Sequence, residues 1–209
     1  MVTPISVRPA LTVRGAPRLA APHCRRSKRR SARQPYRQGD LDGLCGIYAV
    51  INALRALCPE LTGKLSARLF KRLVRCLRGR LREPLDVIAG GMGHKTLGHL
   101  LGIAIEFVKF RLGISVKATP LPKPVRTVKA VDPLWRELSK LLSPARLAIF
   151  SVQGRMSHWT VATRIGPKHL FLLDSGSLKR FRRTHCTVGN GEGLYSIRPG
   201  EVVIVARRG

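Results

Sequence analysis

Acidic residues are scarce in this 209-residue chain: 11 Asp and Glu stand against 39 Lys and Arg, and the formal net charge is +28. Such an excess points to an acidic partner, whether nucleic acid, an anionic membrane surface or an acidic protein, unless it reflects only a compositional bias towards Arg. Aromatic residues make up 5% of the chain, which leaves few rings for stacking on bases. No run of about 18 apolar residues occurs, which excludes a membrane-spanning helix. The five cysteines, Cys24, Cys45, Cys58, Cys76 and Cys186, are odd in number and scattered, with no C-x-x-C pair. That spacing argues against a disulfide framework and against a zinc site, and for a reducing, cytoplasmic setting in which thiols stay free. A reactive cysteine is therefore permitted, and the sequence calls for no cofactor.

The composition changes near residue 38. Residues 1–37 hold ten Lys or Arg, five Pro and no acid, with a dense cluster in "CRRSKRRSAR". Such a segment buries too little apolar surface to order itself and is expected to be a disordered tail. It has no apolar core of the kind a secretory signal needs. An organelle-targeting or nuclear-import patch, a plain solvated tail and translated upstream sequence all remain open for it. Residues 38–209 are long enough for one domain and are themselves basic.

In that body helices come first and strands later. Cys45 to Leu57 is apolar nearly all round and stops at Pro59, which predicts a central buried helix. From Lys64 to Arg80, Leu65, Leu69, Leu73 and Leu77 form one face, while Lys64, Arg68, Lys71, Arg72, Arg75 and Arg78 form the other. This is an amphipathic basic helix whose charged side is either a solvated face or an anion-binding surface. "AGGMGH" reads as a flexible loop and Thr96 to Leu112 as a third helix. "VDPLWRELSKLL" reads as a shorter one with Asp132 as N-cap and Pro133 at the first helical position. After Pro144 the period falls to two in "RLAIFSV", "HWTVATR", "HLFLLDS" and "EVVIVAR", predicting antiparallel strands. The fold class is α+β, with a Cys-bearing helix packed on a C-terminal antiparallel sheet.

Three residues suggest chemistry. Cys45, in "DGLCGIYAV", sits where a helix begins, so its thiol feels the positive end of the helix dipole. A three-residue "IGP" loop pairs Arg164 with Lys168, and continuing that register sets His158 directly across from Asp174. The carboxylate then takes the Nδ1 proton and leaves Nε2 facing a thiol, an arrangement that makes a thiolate–imidazolium nucleophile. Gly43 and Gly46 are expected to let the chain turn sharply and admit substrate backbone. Taken singly, each of the three has an ordinary alternative, as packed thiol, strand histidine or turn aspartate.

"DGLCGIYAVINAL", "SHWTVATRIG" and "LFLLDSG" together resemble the papain-like cysteine peptidase superfamily, nearest to bacterial branches such as the bacteriocin-processing peptidases. The resemblance spans residues 38 to about 176. It implies a papain-like fold with Cys45 as nucleophile, His158 as general base and acid, and Asp174 as the orienting residue. It also implies a glutamine before the cysteine that helps bind the oxyanion. Gln38 is the candidate, at seven positions before Cys45, one more than is usual; otherwise backbone N–H groups near Cys45 take that role. "DGLCGIYA" is also similar to the D-G-x-C motif of ovarian-tumour-type deubiquitinases. Both comparisons imply thiol acyl chemistry on a peptide or protein substrate. The reading from a different class is a basic nucleic-acid or anionic-surface binder, built on the tail and the Lys64–Arg80 face, in which Cys45 only packs.

Overall fold

The first helix organises the molecule because no side of it is left for water. In a computed structural model that describes residues 34–38, 43–80, 91–189 and 193–208, α1 runs Cys45–Leu57. Ile47, Val50, Ala53 and Leu54 are fully buried. Its two large polar residues, Asn52 and Arg55, are buried as well, and both turn to the segment that precedes the helix. Asn52 accepts from the Tyr36 backbone N–H at 2.7 Å and donates to the Tyr36 carbonyl at 3.1 Å. Arg55 donates to the Gln34 carbonyl at 2.9 Å and lies over the Tyr36 ring.

Residues 34–37 are thus bound to the body, and the boundary read at residue 38 falls too late: backbone amides can anchor a stretch whose side chains look like a tail. Residues 1–33, which carry the rest of that basic tail, lie outside the described residues. An Asn52→Ala change strands both Tyr36 backbone groups, at a cost of about 1–3 kcal/mol. In a domain of this size that should lower the melting temperature by roughly 5 °C, measurable by calorimetry. An unchanged melting temperature would mean that residues 34–38 contribute nothing to the fold.

Helix α2 (Gly63–Arg80) and helix α3 (His94–Leu112) pack on α1. On α2, Leu69, Leu73 and Leu77 are buried while Lys64, Arg68, Lys71, Arg72 and Arg75 are exposed, as the periodicity requires. The side chain of Arg78 is outside the described residues. α3 starts two residues earlier than its periodicity predicts and ends at Gly113, whose left-handed conformation caps it. A short strand, β1 (Val116–Pro120), a four-residue helix, α4 (Lys123–Arg126), and α5 (Val131–Leu141) follow. The N-cap of α5 is Ala130, with no side-chain cap, so Asp132 lies inside the first turn. Asp132 instead binds Arg183 across the molecule, a tertiary partner that outcompetes the local cap.

The remaining strands are β2 (Arg146–Gly154), β3 (His158–Ile165), β4 (His169–Leu172), β5 (Arg180–Arg182), β6 (Cys186–Val188), β7 (Tyr195–Ile197) and β8 (Val203–Arg207). They form one sheet in the order β1-β8-β2-β3-β4-β5, with β7 also on β2 and β6 on β7. The expected antiparallel pairing is present except between β6 and β7, which run parallel. Four strands are missing from the sequence reading: β5, β6 and β7 are only three residues long, too short to show a period, and β1, Val116–Pro120, lies in the stretch before Pro144 where that reading finds no alternation.

The sheet separates two apolar layers. Trp159 and Val161 face α1, α2 and α3, whereas Ala162, Leu170 and Phe181 face α5 through Leu134, Trp135 and Leu138. The α+β class follows directly, and α1 lies against β3 and β2, which brings its first residue to the start of β3.

Candidate active site

Cys45 is the first residue of α1, and Leu44 caps the helix with no side-chain hydrogen bond. The backbone N–H groups of the first turn therefore have no partner within the helix, apart from that of Tyr48, which reaches Leu44. The thiol is buried; it donates to the Gly43 carbonyl at 3.8 Å and accepts from the backbone N–H of Trp159 at 3.5 Å. The second contact brings the nucleophile candidate to the residue next to His158, 114 positions along the chain.

The structure also brings His158 and Asp174 together, by a different route from the one the register predicts. The β3–β4 ladder pairs Ile165 with Leu170 and Arg164 with Phe171, then shifts at a bulge so that Ala162 meets Leu172. Leu173 N–H still reaches the Val161 carbonyl, after which the chain leaves the ladder. The expected Arg164–Lys168 pair is not formed: the ladder starts three positions off that register and the bulge recovers one of them, so Asp174 is not directly opposite His158 and reaches the ring from the turn that follows β4. A bulge is invisible in hydropathy because both of its flanking residues fit a strand.

Nε2 of His158 lies 2.7 Å from Asp174 Oδ1. This reverses the expected assignment of the ring: Nε2 serves the carboxylate, and Nδ1 is the nitrogen left over in the cavity that His158 shares with Cys45. The diagonal approach from the turn brings the carboxylate to the far nitrogen instead of the near one.

The aspartate is held tightly. Its side chain is fully buried, and Oδ2 accepts backbone N–H bonds from Gly176 at 2.7 Å and Leu178 at 3.1 Å. Burial opposes its charge, but the bond to His158 and these amides hold its pKa below the ordinary carboxylate value. The Thr160 hydroxyl also faces it, short of full hydrogen-bond geometry. A Cβ at position 176 would sit 3.2 Å from Oδ2 and 3.8 Å from the imidazole, so glycine allows this turn to close over the pair. Burial likewise pulls the pKa of His158 down, but the bonds to Asp174 and Cys45 and the charges of both outweigh it, raising the value from 6.5 to about 9. The imidazolium is the stable form at neutral pH.

Cys45 and His158 open onto a cavity of about 170 Å³. One wall is Gly91, Met92, Gly93 and His94, the end of the "AGGMGH" loop, whose Ala89 and Gly90 lie outside the described residues. The Trp159 indole N–H clamps this wall by donating to the Met92 carbonyl at 2.6 Å. Gly46 supports it from below: a Cβ there would come within 2.8 Å of Met92 Sδ and 3.1 Å of Leu97. Gly46 is thus a buried packing position, and the expectation that it admits substrate is corrected. The other wall includes Gln153, Arg198 and Glu201, with Glu201 bonded to both Ser151 and Arg198. No sequence signal marks these residues, because they meet only when β2 pairs with β7 and β8.

No protein-family model matches the chain, and a search of curated proteins finds no match.

Gln38 lies near Asp174, since its backbone N–H donates to the Ser175 carbonyl at 3.1 Å. It is not among the residues lining the cavity at Cys45. Burial raises the Cys186 thiol to about 12 and, with smaller opposing effects from Arg207 and Glu60, the Cys58 thiol to about 11.

Proposed function

We propose that this chain is a cysteine-dependent hydrolase or acyl transferase acting on a peptide, isopeptide or amide bond. The observation that carries the proposal is a single imidazole bonded to a buried carboxylate and sharing its cavity with a thiol at a helix N-terminus. A Cys-bearing helix laid against an antiparallel sheet that carries the histidine is also similar to the papain-like cysteine peptidases. Their chain order of Cys, His and Asn or Asp is the order found here.

In this reading the Cys45 sulfur attacks the carbonyl carbon, forming a C–S bond and a tetrahedral oxyanion. The N–H groups of the first turn of α1 are the proposed backbone donors to that charge, and Gln38 is the proposed side-chain donor. The imidazolium of His158 gives its proton to the nitrogen as the C–N bond breaks, leaving a thioester and a free amine. A water then loses a proton to His158 and attacks the thioester, releasing the acid and the thiol; an amine in place of water gives transfer. Asp174 keeps Nε2 protonated throughout, so that Nδ1 is the nitrogen that exchanges protons.

The direct test is digestion of a proteome-derived peptide library, read by mass spectrometry for new termini. The wild type should generate new termini and Cys45→Ala none. Identical peptide patterns from the two proteins, after labelling has shown the thiol to be accessible, would remove the hydrolase reading.

A further inference from the structure

The sheet presents a second surface that the thiol chemistry does not use. α1 covers the Trp159 and Val161 side of the sheet, and the same side continues past the helix onto β4 and β5. There the register places Arg164, Phe171 and Arg180 side by side on adjacent strands, and His169 beside Arg182. Directly paired residues share a face, so these five project together, opposite the buried Leu170 and Phe181. The three arginines are exposed and the two rings half-buried. The Arg164 guanidinium lies over the Phe171 ring, 3.4 Å from its centroid, and the His169 ring stands 6.1 Å from that of Phe171. Arg180 and Arg182 are about 7 Å apart along their strand, a step comparable with that between phosphates of an extended polynucleotide. Between residues 164 and 185 the sequence has only one acid, Asp174, which is buried against His158, and among the described residues Asp132, reaching this stretch from α5, pairs with Arg183 and not with these three arginines. Partial burial, and then the charges of Arg180, Arg182 and Lys168, keep the His169 ring below its ordinary pKa and hence neutral.

We propose that this face of β3, β4 and β5 binds single-stranded nucleic acid, with an unpaired base stacking on the Arg164–Phe171 pair and backbone phosphates on Arg180 and Arg182. Rings interleaved with cations at strand spacing are what such a ligand needs. A duplex keeps its bases out of reach of a flat sheet. An anionic membrane would need exposed apolar anchors, and among the described residues the large ones, Phe110 and Leu194, lie elsewhere. The exposed face of α2 has comparable charge, but its Phe70 turns inward against Tyr48. This inference is independent of the hydrolase reading.

The test is fluorescence anisotropy of the full chain with labelled 12-nucleotide oligothymidylate, oligouridylate and a duplex of equal length. Phe171→Leu should weaken single-strand binding roughly 5- to 100-fold and leave duplex binding unchanged. Arg164, Arg180 and Arg182 changed together to Gln should reduce the logarithmic salt slope by about 1.4, the share of the two phosphate contacts. The equal-charge change of Arg68, Lys71 and Arg72 should leave most of it in place. Phe171→Trp serves as a check that does not depend on losing the ring: its added fluorescence should be quenched by the single strands and not by the duplex. Equal losses from the two triple variants, or an added indole signal in Phe171→Trp that is blind to single strands, would show only the general pull of net charge and overturn the proposal. Loss of binding to phosphatidylserine vesicles in Phe171→Leu, with oligonucleotide binding intact, would assign the face to a membrane and overturn it as well.

Discussion

Substoichiometric iodoacetamide near neutral pH should alkylate Cys45 well ahead of Cys58 and Cys186, although all three are buried. Burial alone holds Cys186 protonated to about pH 12, and burial with the Glu60 charge, against that of Arg207, holds Cys58 protonated to about 11. Cys45 alone of the three shares a cavity with the His158 imidazolium. His158→Ala should slow labelling of Cys45 by ~10²-fold or more while leaving Cys58 and Cys186 unchanged. The readout is peptide mapping after a short pulse, and it needs no substrate. Labelling of Cys45 that ignores the loss of His158 would reduce the cysteine to a packing residue at the start of a helix.

Asp174→Asn and Asp174→Ala should differ in kind. The amide can still accept from Nε2 but carries no charge, so the pKa of His158 should fall from about 9 by roughly 1–3 units. The alkaline limb of kcat/KM, which reports loss of the imidazolium proton, should move down by the same amount. Alanine removes the acceptor altogether and also strands the N–H groups of Gly176 and Leu178. Activity should then drop at every pH, together with the melting temperature.

Linkage gives a stability counterpart. The paired imidazolium stabilises the folded state fully below its ordinary pKa of 6.5, and that contribution is lost as the pH rises through about 9. Wild type should therefore lose melting temperature between pH 7 and 10 that His158→Gln does not. Parallel curves for the two proteins would show that the pair does not carry charge.

Much of this was readable in the chain because hydropathy period reports what each element buries. α1, α2 and α5, and the strands β2, β3 and β8, each have enough residues for the period to be distinct, and their order alone implies an α+β domain. Cys45 was legible through its position between an approach loop and an apolar helix, and His158 and Asp174 through the strand pair that carries them. What remained hidden depends on contacts between distant positions. Residues 34–37 look like tail by composition and are folded because Asn52 and Arg55, buried in α1, need their backbone as partner.

That Cys45, His158 and Asp174 come near one another is readable in the chain, because burying the Cys45 helix and the β3–β4 hairpin in one core leaves little freedom for where their ends fall. Only the tertiary structure decided how they meet. The loop between Ile165 and Leu170, longer than the three residues expected, moved Asp174 off the cross-strand position, and the turn at Gly176 brought it back to the opposite ring nitrogen, so Nε2 faces the carboxylate. It also decided the walls of the cleft. The Trp159 indole clamps the Met92 carbonyl, and Glu201 joins Ser151 to Arg198. These are directional hydrogen bonds between residues 50 or more positions apart along the chain, save the Arg198–Glu201 pair. Hydrophobic patterning carries no information about their geometry, because a period records which face is buried and not what is met there.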